Sequence, residues 1–154
     1  MALFSNFPLW VALFTIFLIQ LLKVVFAFIV TKKIDWHLLN RTGGMPSSHS
    51  GGVTALATGI ALEEGLSSPL FALAAMFAII VMYDATGVRR QTGKQSVAIN
   101  LLVRDLNRFF EEAKKDEVQK REELKELLGH EPIEVFVGGL FGIMTTLIFY
   151  GLLR

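Results

Sequence analysis

Residues 7–30 read FPLWVALFTIFLIQLLKVVFAFIV, an almost unbroken apolar run that decides the class of this protein. At about 1.5 Å per residue, a helix of this length spans the roughly 30 Å hydrocarbon core of a bilayer. A signal peptide would instead carry a basic stretch ahead of a shorter apolar segment, and residues 1–7 hold no Lys or Arg. The run therefore predicts a retained transmembrane helix, interrupted only by Gln20 and Lys23.

The composition of the remaining chain fits the same class. Hydrophobic residues make up 53% of the 154 residues, and the mean hydropathy is +0.52. We expect one membrane domain over residues 1–154 and no nucleic-acid partner. The chain has no cysteine, which excludes disulfides, thiolate catalysis and thiolate metal sites.

Three further apolar segments predict helices over residues 50–62, 70–83 and 132–153. With the first helix they make an all-α integral membrane fold of about four transmembrane helices. Residues 95–128 combine mixed charge with apolar residues at helical spacing, which predicts an amphipathic, charged helical insertion. That insertion either covers the protein or lies at the membrane interface.

The basic residues predict the orientation in the membrane. Four crossings place the loop 31–50 and the segment 85–131 on one side, with both termini on the other. Lys32, Lys33, Arg41 and ten basic residues within 85–131 lie on the first side. The positive-inside rule therefore puts that side in the cytoplasm, which for a bacterial protein means the inner membrane.

Two histidines stand just ahead of glycine-bearing apolar helices, His49 in GGMPSSH (43–49) and His130 in GHEPIE (129–134). A helix start offers unpaired N–H groups to a phosphate, and histidine can transfer a proton or attack phosphorus. Glycines at four-residue spacing allow the two helices to approach closely, which would bring the histidines together. The alternative is that the glycines serve packing alone and the histidines have no role.

Neighbouring polar residues admit two interpretations each. Glu134 lies one helical turn beyond His130, where it would orient the imidazole or complement the helix dipole. Ser47 and Ser48 suit a helix cap, and a capping serine can also donate to a phosphate. Lys23 either snorkels to the interface or points into the site.

A basic cluster follows the third helix, in which Arg89, Arg90 and Lys94 would clamp phosphate oxygens. Asp84, at the membrane edge, would hold one of these arginines. The alternative is a juxtamembrane patch that contacts anionic lipid. The histidines and carboxylates lack tight metal-ligand spacing, so we expect neither a metal nor another cofactor.

These motifs together resemble a known superfamily. Residues 46–49 (PSSH) resemble the Pro-Ser-Gly-His motif of the type 2 phosphatidic acid phosphatase and vanadium haloperoxidase superfamily. Residues 130–142 (HEPIEVFVGGLFG) are similar to its His-x-Pro-x-Asp-Val-x-x-Gly-x-x-x-Gly ending. With residues 20–23 (QLLK) and 83–90 (YDATGVRR), the whole chain resembles the divergent branch of small bacterial and plant membrane proteins.

The resemblance implies catalytic roles. His130 would attack phosphorus and form a phosphohistidine, Glu134 would orient it, and His49 would protonate the leaving alcohol. Ser48 would lend a donor, and no metal would take part. The superfamily's arginine ahead of the nucleophile is Leu124 here, so Arg89 or Arg90 would replace it.

The predicted function is therefore a metal-independent phosphatase or phosphotransferase acting on a lipid or isoprenoid phosphate. One alternative is a non-catalytic protein that binds or transports such a phosphate, and another is a scaffold whose charged helix recruits partners. Four helices make a thin monomer, which favours a homodimer. The predicted phosphate-binding residues are Ser48, Arg89, Arg90, Lys94, Lys23 and Asp84.

Overall fold

A computed structural model describes residues 4–32, 44–113 and 130–153, and its regular elements within these ranges are all α-helices. The helices are α1 (Phe7–Thr31), α2 (Ser48–Glu64), α3 (Pro69–Thr86), α4 (Val88–Ala113) and α5 (Pro132–Leu153). The predicted all-α membrane class is confirmed. Lys33, Arg41 and the later part of the predicted 95–128 insertion lie outside the described residues.

Side-chain caps set where three of these helices begin. The side chains of Asn6, Ser47 and Ser68 each accept a backbone N–H from the first turn of α1, α2 and α3 respectively. Ser47 is thus the cap of α2, and Ser48 is its first helical residue. The second and third helices are longer than predicted, because capping extends α2 backwards and no breaker ends α3 before Gly87.

Helix α4 begins at Val88, well ahead of the predicted start at residue 95. Gly87 alone separates it from α3, and its N–H donates to the Tyr83 carbonyl at 2.9 Å. The first residues of α4 are mostly polar, so apolar residues at helical spacing do not indicate a helix there.

Helix α2 is central, since it contacts α1, α3 and α5. Its 17 residues make a helix of about 26 Å, which is shorter than the hydrocarbon core. In the described ranges, three stretches are long and apolar enough to cross a bilayer, namely Phe7–Ile29, Pro69–Phe109 and Pro132–Leu153. The small, partly polar residues of α2 are instead enclosed by its neighbours.

The α2–α5 seam relies on the absence of side chains. A Cβ on Gly142 would overlap the carbonyl oxygen of Gly51, so the two backbones touch directly. Thr54 Oγ1 donates across the seam to the carbonyl of Gly139 at 2.9 Å, and Thr146 Oγ1 donates to a carbonyl of α2 at 3.3 Å. Close approach and interhelical hydrogen bonds thereby fix these two helices in one register.

Candidate functional site

The two histidines lie together at one end of the helical bundle. The ring centroids of His49 and His130 are 6.3 Å apart, with 62° between the ring planes. His130 is buried at 4% exposure, and His49 is partly exposed. The glycine faces of α2 and α5 meet as the spacing predicted, and the helix starts meet with them.

The segment ahead of α2 is seated directly on α5. The Ser47 N–H donates to the backbone carbonyl of Glu134 at 3.0 Å. A Cβ on Gly138 would overlap the backbone of Ser47, so this seat exists only because Gly138 has no side chain. The contact holds His49, two residues further on, at the first turn of α5.

Two contacts from neighbouring helices orient His130. Its backbone N–H donates to the Ala85 carbonyl at the end of α3, at 3.1 Å. Its Nδ1 lies 2.9 Å from Glu134 Oε2, which also accepts the N–H of Glu131 at 3.2 Å. Because an ionised carboxylate can only accept, Nδ1 carries the hydrogen in this contact, and in the neutral imidazole the lone pair is then on Nε2.

Helix α1 contributes a buried lysine. Lys23 is 7% exposed and lies within electrostatic range of Glu134. The α1 face that contacts Gly51 through Thr15 and Ile19 leads to this position, because residues four apart share a helix face. Lys23 therefore faces the protein interior, and the snorkelling alternative is wrong.

Arg90 is bound to a carboxylate next to His130 in the chain, that of Glu131. Arg90 Nε and Nη2 lie 3.1 and 3.0 Å from Glu131 Oε1, and Nη2 lies 2.8 Å from Oε2. This bidentate pairing is the geometry with which arginine also holds a phosphate. Sequence reasoning missed Glu131, and the available signal was the position of Glu131 directly after His130. That Asp84 holds an arginine stays a prediction.

The other predicted phosphate ligands are placed differently. Ser48 is buried beside His49, Asp84 is partly buried near the end of α3, and Lys94 is exposed one turn beyond Arg90 on α4. The side chain of Arg89 lies outside the described part of the chain. Among the described residues, no group of three or more His, Cys, Asp or Glu side chains is arranged to hold a metal ion.

Comparison with known proteins supplies the family. Residues 4–145, from the start of α1 to well into α5, match the Divergent PAP2 family. The chain belongs to that family. The match includes both histidine segments, and it confirms the resemblance seen in the motifs.

A curated relative is the uncharacterized membrane protein YuiD of Bacillus subtilis (strain 168). It is 58% identical over 152 residues, which cover 96% of this chain and 96% of that protein. No solved structure matches the chain. Family and relative together place the protein among membrane proteins related to the type 2 phosphatidic acid phosphatases.

Proposed function

We propose that this protein is a metal-independent phosphatase or phosphotransferase for a lipid or isoprenoid phosphate, with a histidine nucleophile. The observation that carries the proposal is the pair of buried and half-buried imidazoles, His130 and His49, one of them oriented by Glu134. Membership in the Divergent PAP2 family supports the reaction class.

The proposed reaction proceeds in two displacements at phosphorus. The Nε2 atom of His130 attacks phosphorus, the ester P–O bond breaks, and His49 gives its proton to the departing oxygen. Water, or an acceptor alcohol in the phosphotransferase case, then attacks the phosphohistidine. His49 takes the proton of this second nucleophile, the N–P bond breaks, and the two histidines return to their starting states.

The negative charge of the phosphate needs compensation in a site without metal. The first turns of α2 and α5 direct backbone N–H groups and positive dipole ends toward this end of the bundle. Lys23 adds a positive charge, and Ser48 adds a hydroxyl donor at the start of α2. Arg90, with Arg89 and Lys94 from the same helix, completes the proposed phosphate-binding group, and Asp84 is proposed to hold an arginine in place.

The proposed site faces the cytoplasm, with both termini on the other side. The helix ends that carry its residues adjoin the loop 31–50 and the segment 85–131, which hold most of the lysines and arginines. A site at the cytoplasmic ends of membrane helices would meet the phosphate of a lipid whose tail stays in the bilayer.

Trapping a phosphoenzyme tests the proposal. The full chain in lipid nanodiscs is mixed with radiolabelled phosphatidic acid in one arm and a labelled polyprenyl phosphate in the other, and each is quenched within a single turnover. We expect an acid-labile, alkali-stable label on His130 with one of the two substrates, located by peptide mass spectrometry. Saturable binding without a label in either arm would contradict the proposal.

That outcome would favour the second candidate, a protein that binds or transports a lipid phosphate without turnover. The pairing of Arg90 with Glu131 favours this candidate, because the charge of this arginine is already neutralised by a carboxylate. Leu124 at the place of the superfamily's arginine points the same way.

Glu131→Gln tests whether Arg90 takes part in phosphate binding under either candidate. The substitution keeps the shape of the side chain and removes the charge that competes with phosphate. We expect the Kd of vanadate, a phosphate analogue, to fall roughly two- to fivefold, the range of a partly exposed ion pair. Isothermal titration of the protein in nanodiscs measures it.

Glu64→Gln, at the opposite end of α2, is the matched control and should leave the vanadate Kd unchanged. Arg90→Gln should weaken binding. If Glu131→Gln lowers thermal stability and leaves vanadate binding unaltered, the ion pair serves only to hold α4 against α5.

A further inference from the structure

Helix α4 has an exposed apolar stripe that no described helix covers. Ile99, Leu102, Leu106 and Phe109 recur three or four residues apart and therefore share one face. They are 47, 59, 46 and 70% exposed. Leaving such a contiguous stripe in water is unfavourable, so the stripe requires an apolar partner.

The remainder of the helix surface is of two kinds. Gly93, Ser96 and Asn100 are buried and form the side that faces the protein. The third side is exposed and polar, with Val97 and Leu101 as its apolar exceptions; its charged members are Lys94, Arg104, Asp105 and Arg108. A helix with one protein-facing, one apolar and one cationic side suits a boundary between protein, lipid and water.

Length shows that α4 does not continue α3 across the bilayer. The apolar stretch Pro69–Phe109 has 41 residues, and a straight helix of that length would be about 60 Å long, twice the hydrocarbon core. The chain breaks its helix at Gly87, where α3 has crossed most of that thickness. Helix α4 therefore starts at the membrane edge, and its charged side cannot lie in the hydrocarbon.

We propose that α4 lies flat in the headgroup region of an anionic leaflet. The stripe of Ile99, Leu102, Leu106 and Phe109 enters the acyl-chain boundary, and the cations Lys94, Arg104 and Arg108 contact lipid phosphates. Continuity with the membrane-crossing α3 and the excess of five basic over three acidic residues in the sequence of α4 both favour anionic lipid over a second protein copy.

The proposed position of α4 in the headgroup region also affects the histidine site. Arg90 belongs to the first turn of α4 and is tied to Glu131 beside His130. A helix anchored at headgroup depth would hold this arginine at the level of lipid phosphates. The placement of α4 nevertheless stands independently of catalysis, and its test needs no substrate.

The absence of cysteine makes site-directed spin labelling direct. Single-cysteine variants at Leu102 and Leu106 report the stripe, Asp105→Cys is the neighbouring control on the polar side, and Ser96→Cys reports the buried side. The full chain is placed in nanodiscs of phosphatidylglycerol, and collisions with oxygen and with a water-soluble nickel chelate are measured by power saturation. Monodisperse elution and an unchanged melting temperature identify the folded variants.

We expect labels at 102 and 106 to collide more with oxygen than with nickel, and the label at 105 to show the reverse. Replacing phosphatidylglycerol by phosphatidylcholine, or introducing Arg104→Gln with Arg108→Gln, should weaken this pattern, by roughly fivefold in partitioning for each cation removed.

Two results would overturn the proposal. Nickel accessibility at 102 and 106 equal to that at 105 would place the stripe in water. Protection of 102 and 106 from both agents, with dipolar coupling between labels on separate chains, would assign the stripe to a dimer contact.

Discussion

His130→Ala is expected to reduce phosphate release by roughly 10³-fold or more, because the substitution removes the proposed nucleophile. Inhibition by vanadate should be lost as well, since the imidazole would bond the vanadium. Release of inorganic phosphate from lipid phosphate in nanodiscs measures the first effect, and vanadate titration measures the second.

The chain offers a matched control in its third histidine, His37, to which no role is assigned. His37→Ala should keep full activity. His49→Ala should lose most activity on an alkyl phosphate but recover much of it on an aryl phosphate, because a phenolate leaves without a proton donor. Undiminished turnover by His130→Ala, with His37→Ala as reference, would refute the histidine mechanism.

The arrangement of the histidines was predictable because it depends on local rules. Glycines at four-residue spacing predict close helix approach, and a histidine at the start of each helix must then share that end. The contact of Glu134 with His130 was predictable on the same basis, since residues four apart on a helix are neighbours. The structure adds the distances, 6.3 Å between rings and 2.9 Å to the carboxylate.

The contacts of Arg90 could not be predicted in this way. Its partner Glu131 lies 41 positions away, and the pairing depends on how α4 leaves α3 at Gly87. Separation along the sequence does not decide which acid pairs with an arginine of another helix. Lys23 was ambiguous for the same reason, because only tertiary packing determines whether a lysine within an apolar helix faces lipid or protein.

The importance of α2 was also hidden in its composition. A segment rich in glycine, alanine and serine scores poorly as a membrane helix, yet these small residues let three other helices contact it. The same small residues that lower the hydropathy of α2 thus allow its central position among the helices. The catalytic proposal depends on that place, since α2 carries His49 to α5.

Gly142→Ala should separate these two helices, although alanine is the better helix former. The new methyl group would overlap the Gly51 carbonyl, and backbone cannot move aside as a side chain can. Overpacking of this kind costs about 1–3 kcal/mol, which outweighs the roughly 1 kcal/mol gained in helix propensity. A net loss of about 1–2 kcal/mol should lower the melting temperature in nanodiscs by roughly 2–8 °C for a chain of this length.

Gly151→Ala on the same helix is the matched control, because a Cβ there meets nothing within 4 Å. It should be neutral or slightly stabilising, so the difference between the two variants isolates the contact from helix propensity. Separation at Gly142 should also stretch the Thr54–Gly139 hydrogen bond and move His49 away from His130, so vanadate binding should weaken along with stability. Equal melting temperatures for Gly142→Ala and Gly151→Ala would mean that the seam tolerates a wider spacing, and that the histidine pair is held by the Ser47 seat on Gly138 alone.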